Sequence, residues 1–230
     1  MLAGLLVLCL PALTDAALLR ASPRAVPPRM MANPISFEEA LDTAPNMCAQ
    51  LQRGESPDGL ADLIASSAGA RGFFVNWLTG DEWSAADAAV PPEPLSESLM
   101  DAQAEVIEVM LMNVVMSAAT AVAHSRAGND EQADGSQRTC NRAVILVNAV
   151  WSGNQALQSA CDALRRAVYA ELGEEVLVQS TGDDEEKVDE WSAFLSRWRY
   201  DNDQLANAKA ALALCGGGDD KDVGVISDAA

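Results

Sequence analysis

Apolar positions recur along this chain with helical spacing over most of its length, and strict two-residue alternation never persists. Ser36-Phe37-Glu38-Glu39 has the form of a capping box, with Ser36 as N-cap and Glu39 three residues on. It predicts a helix to about Gln52, ended near Gly54. Ser56-Pro57-Asp58 offers a second start, with Leu60, Leu63 and Ile64 on one face. Gly69 and Gly72 predict a break, followed by a short aromatic-rich helical turn, Phe73, Phe74, Trp77 and Leu78, that reads as a core anchor. Val90 to Pro94 is a stiff connector.

The longest periodic segment runs from about Leu95 to Arg126. Its middle, Val106 to Ala123, is apolar nearly all round except at Glu108, Asn113, Ser117 and Thr120. A helix without a polar face belongs at the centre of a bundle, and Glu108 and Asn113 interrupt it too early for a membrane span. After a polar loop, Ala127 to Gln137, a helix capped by Ser136 or Thr139 is expected to reach Leu172, with a kink or close crossing at Gly153. Val176-Leu177-Val178 is a candidate for extended chain but too short to define a sheet. Acidic residues from Asp183 to Glu186 sit at the next helix start, where the dipole favours them. A last helix spans about Asp201 to Leu214 and stops at Gly216. This pattern predicts an all-α fold, a single bundle of about five to seven helices with two long central ones.

Composition fits that reading. Hydrophobic residues make up 49% but aromatics only 5%, and much of the apolar content is alanine, which suits closely approaching helices. The formal net charge is −19. Such a surface repels phosphate backbones, so nucleic acid is not an expected partner. Peripheral membrane association would require a local basic patch.

Residues 1–31 differ from the rest. Leu2 to Leu13 is an apolar run of 12 residues, the length of a signal-peptide core, with small residues at Thr14 and Ala16 before Ala17. From Ala16 to Phe37 there is no acidic residue, while Arg20, Arg24 and Arg29 occur among prolines and small residues. A signal-like run followed by a transit-like run resembles the bipartite presequence of nucleus-encoded proteins in algae with secondary plastids. The resemblance implies a plastid address, in the stroma or against the thylakoid; export and mitochondrial import are the alternatives. The expected organisation is a targeting presequence over 1–31, an acidic helical domain over 32–215 and a disordered acidic tail over 216–230.

Motifs that carry chemistry are scarce. His124 is the only histidine, no G-x-S-x-G occurs, and the P-loop, dinucleotide and EF-hand patterns are absent. Four scattered cysteines and one histidine lack metal-ligand spacing. Glu105, Glu108, Asn113 and His124 share the apolar central helix, and Asn141, Asn148 and Asn154 follow on its expected neighbour. These polar groups either satisfy one another in the core or line a pocket. Imidazole and amide oxygen can both ligate the magnesium of a chlorophyll, and a glutamate pair at i, i+3 can shift one carboxyl toward acid–base work.

The stretches Ala70 to Trp83 (ARGFFVNWLTGDEW) and Leu111 to Arg126 (LMNVVMSAATAVAHSR) resemble a family of uncharacterised plastid and cyanobacterial-lineage proteins. That resemblance supports the plastid address and supplies no catalytic residues. The expected function is a non-catalytic interaction protein, an accessory subunit or assembly factor of a photosynthetic complex, with Trp191, Phe194, Arg197, Trp198 and Arg199 as partner-binding residues. The alternative is a small-ligand or pigment-binding protein, or an enzyme, with a pocket between the long helices near His124, Glu105 and Glu108.

Overall fold

The computed structural model describes residues 35–100, 102–174 and 185–217. By its contacts the chain divides into Met1–Asn33 and Pro34–Ala230, and every described residue belongs to the second unit. The presequence reading, the Val176–Val178 run, Asp183 and Asp184, and the tail from residue 218 onward lie outside the described residues.

The described residues are all-α: nine helices and two 3-10 turns. The helices are α1 (Phe37–Gln52), α2 (Leu60–Ile64), α3 (Ser67–Thr79), α4 (Glu93–Met100), α5 (Ala104–Arg126), α6 (Asp130–Val150), α7 (Gln155–Glu171), α8 (Glu185–Trp198) and α9 (Asn202–Ala213). The fold class is as expected, and α5 and α6 are the two long central helices. The count is higher because two stretches expected as continuous are divided. The segment from Leu95 to Arg126 breaks after Met100, so α4 and α5 are separate. The segment ending at Leu172 begins earlier, at Asp130, and breaks at the 3-10 turn Trp151–Gly153. Asn154 makes that second break definite. Its side chain accepts from the Leu157 N–H at 2.9 Å, capping α7, and donates to the Met100 carbonyl at 3.3 Å, where α4 ends.

The predicted capping box opens α1. The Ser36 N–H donates to Glu39 Oε2 at 3.0 Å, and the Glu39 N–H to Ser36 Oγ at 3.2 Å. Pro45 lies inside this helix and has no N–H to offer the carbonyl four residues back. That carbonyl belongs to Leu41, and it accepts instead from the Asn76 side-chain amide of α3 at 3.3 Å. Nearby, Gly72 lets α3 lie directly on α1: a Cβ there would come within 2.5 Å of the Ala40 Cβ and 2.8 Å of the Leu41 nitrogen. Gly69 and Gly72 therefore do not break the chain as expected. They sit within α3, and their missing side chains permit close backbone approach.

The aromatic cluster is the predicted anchor. Phe73, Phe74, Trp77 and Leu78 are buried, with Phe73 and Trp77 stacked at 6.2 Å. α5 runs through the centre, packed most extensively on α6 and α9. Its apolar faces bury Val106, Met110, Leu111, Val114, Val115 and Ala118. Among the described residues it is the one helix long and apolar enough to cross a membrane, with mean hydropathy 1.9, yet 61% of that window is buried within the bundle. That burial marks a core helix. Side-chain amides hold α9 to α5: Asn207 donates to the Ala118 carbonyl at 2.8 Å and Gln204 to the Ala119 carbonyl at 3.2 Å.

Candidate interaction site

α8 packs on α7 through the first part of the predicted aromatic stripe. Trp191 and Leu195 are buried, and Phe194 meets Trp191 edge to face at 5.7 Å. These two aromatic residues serve the core more than a partner. Toward its C-terminus the stripe turns outward. Trp198 is half-buried and stacks on Tyr200 with centroids 6.5 Å apart and planes 10° from parallel. Arg197 and Arg199, on either side of Trp198 in the sequence, are exposed.

Two features distinguish this end of the helix. Arg199 adopts a left-handed conformation, φ 52°, the only positive φ among the described non-glycine residues. Its N–H donates to the Leu195 carbonyl at 3.1 Å, closing α8 in the manner usually left to glycine. A side chain in that conformation costs about 1 kcal/mol. The second feature is charge. Arg53, Arg126, Arg138, Arg142, Arg165 and Lys209 all pair with carboxylates. Among the described residues Arg197 and Arg199 make no such pair, in a chain with 34 acidic residues.

A second concavity lies along α6. A groove of about 400 Å³ is lined by Asp87, Asp134, Gln137, Arg138, Asn141 and Ile145, five of them on one helical face. Behind it sits Arg142, with a side chain 1% exposed. Its Nε and Nη2 donate to the two oxygens of Asp87 at 2.6 and 2.8 Å. Nη1 reaches the carbonyls of Gly80 at 2.8 Å and Leu78 at 3.2 Å, and Nη2 that of Trp83 at 3.2 Å. One guanidinium thus satisfies the C-terminus of α3 and the loop beyond it. Asp87 is held below the usual carboxylate range by the hydrogen bonds from Arg142. No serine, cysteine or histidine lines the groove.

The residues predicted for a ligand site do not converge. Glu105 and Glu108 are exposed near the start of α5, while His124 is half-buried in its last turn. From Glu108 to His124 the helix rises about 24 Å, so one pocket cannot hold both, and none of the four residues lines the groove. Asn113 is satisfied within its own helix, donating to the Val109 carbonyl at 2.8 Å. Asn148 and Asn154 bond backbone rather than each other, and Asn141 bonds Gln137. Although the residue as a whole is exposed, neighbouring protein crowds the Glu108 carboxyl, and that partial burial, followed by Glu190 and Glu105, pushes it above its ordinary range. Sequence reasoning passed over Arg142. Its one visible mark was a charge set inside an apolar helical run, Cys140 to Val147.

The fold and this site define an all-α protein in which α8 ends in exposed arginines, unpaired among the described residues, beside an aromatic stack on a strongly acidic chain. The chain belongs to the family described as uncharacterised conserved protein UCP020893, which it matches over residues 36–214. No curated protein and no solved structure matches it.

Proposed function

We propose that this chain is a non-catalytic helical interaction protein working in a plastid, as an accessory subunit or assembly factor of a photosynthetic complex. The observation that carries the interaction reading is the end of α8: two exposed arginines, without carboxylate partners among the described residues, flank Trp198, which stacks on Tyr200. Aromatic and arginine side chains dominate the binding energy of protein interfaces, and an aromatic already held in place loses little entropy on binding. A partner segment with carboxylates beside apolar groups fits this surface. The acid-free, arginine-bearing stretch from Ala16 to Phe37 supports the plastid address.

Replacing Arg197 and Arg199 by glutamate, with Trp198→Ala as a separate variant, tests the reading. Each variant should keep its helical circular dichroism yet lose the native association by at least tenfold. Unchanged association would remove the face from the account. Residues 1–31 fused to a fluorescent protein should direct it to the plastid of an algal cell; fluorescence elsewhere would remove the address.

A further inference from the structure

Cys161 and Cys215 stand 54 positions apart in the chain, yet the fold brings their side chains together. Cys161 lies one helical turn before Arg165 on the same face of α7. Arg165 Nη2 donates to the carbonyls of Cys215 at 2.7 Å and Leu212 at 2.8 Å. The residue just beyond α9 is thereby seated over that turn of α7. The Cys215 thiol, which donates to the Ala211 carbonyl at 3.8 Å, stands beside that of Cys161, and the residues are 0% and 2% exposed.

The other buried thiols are differently placed. Cys140 Sγ donates to the Val114 carbonyl at 3.6 Å, and Cys48 belongs to α1. Burial pushes both up to about 12, which leaves them inert. Cys161 moves the opposite way, because the polar Cys215 side chain lies against its sulfur and Arg165 adds positive charge nearby. Leu214, next to Cys215, is 44% exposed. Beyond Arg165, the terminus is latched by Asn148, which donates to the Leu214 carbonyl at 3.0 Å and accepts from the Gly216 N–H at 2.6 Å. Releasing these few bonds is a local opening.

We propose that Cys161 and Cys215 form a peroxide-sensitive thiol pair that oxidises to an intramolecular disulfide. The Cys161 thiolate attacks one peroxide oxygen: an S–O bond forms, the O–O bond breaks, and hydroxide leaves with the thiol proton as water. The Cys215 sulfur then attacks the sulfenic sulfur, an S–S bond forms, the S–O bond breaks, and a second water departs. Two electrons and two protons pass from the thiols to hydrogen peroxide, and a dithiol reverses the step by exchange. The closed loop contains α8 and α9, so oxidation tightens that half of the bundle.

The experiment uses the full chain, reduced, treated with a slight excess of hydrogen peroxide, alkylated and mapped by mass spectrometry. The expected product is a single Cys161–Cys215 cross-linked peptide, with an intact mass lower by two hydrogens and a melting temperature raised relative to the reduced form. Cys161→Ser and Cys215→Ser should each abolish the cross-link, whereas Cys48→Ser should leave it unchanged. Because serine can disturb a buried site, the wild-type map decides. Cross-links to Cys140, disulfides between chains, or sulfinic acid without a cross-link would each overturn the assignment.

Discussion

Replacing Arg142 by methionine keeps most of the side-chain volume and removes every hydrogen bond the guanidinium makes. Two short bonds to Asp87 and one to the Gly80 carbonyl are lost, together with longer ones to Trp77, Leu78 and Trp83. A fully buried ion pair broken on one side costs about 3 to 5 kcal/mol. Asp87 is half-exposed, at 47% of its side chain, so water recovers part of that loss. The carbonyls nearer the core recover less, and the expected cost is about 3 kcal/mol. For a domain of this size that corresponds to a fall in melting temperature of roughly 6 to 12 °C. Arg142→Lys, with one nitrogen for several acceptors, should cost about 2 kcal/mol. The pH dependence has a definite sign. Asp87 titrates below its unfolded value, so its contribution is complete above the ordinary aspartate range and disappears as pH falls through the folded-state value. The gap between wild type and Arg142→Met should therefore narrow in acid. Urea unfolding of wild type, Arg142→Met, Asp87→Asn and the double variant provides the assay. A loss under about 1 kcal/mol for Arg142→Met, or strictly additive single effects, would refute the clamp.

Gly72→Ala should destabilise by about 2 kcal/mol or more, because the new Cβ would stand 2.5 Å from that of Ala40 and force α1 and α3 apart; thermal unfolding reads it directly. Glu108→Gln should stabilise at neutral pH. The glutamate's folded-state pKa is raised, so its charged form opposes folding above that value, and the advantage of glutamine should vanish as acid protonates the carboxyl. Melting curves at successive pH values check it. Arg199→Gly should raise stability by about 1 kcal/mol by relieving the left-handed arginine, while weakening partner association, a pairing of effects that a merely structural residue would not show.

The parts of this fold legible in the sequence are those with local causes. The Ser36 box, the all-round apolarity of α5 and the start of the last helix near Asp201 each depend on residues within one or two turns. What escaped is long-range. The glycines of α3 look like breakers until Ala40 is seen against Gly72, and Pro45 is tolerated because Asn76 arrives from another helix. Arg142 and the Cys161–Cys215 pair depend on contacts across dozens of residues. For the candidate site, spacing marked the α8 stripe correctly as one face. It could not tell which end the core would take, and burial assigned Trp191 to the interior, left Trp198 half-buried and left Arg197 and Arg199 exposed. Treating His124 and Glu108 as one site overlooked the length of the helix between them.

The most direct test is the native size of the protein under mild detergent, in cells expressing either the wild type or the Arg197→Glu, Arg199→Glu form. The wild type should run in a species well above the chain's own 24.2 kDa, and the charge-reversed form, equally folded, near monomer size. A wild type at monomer size, or a variant that stays in the larger species, would contradict an interaction role carried by the end of α8.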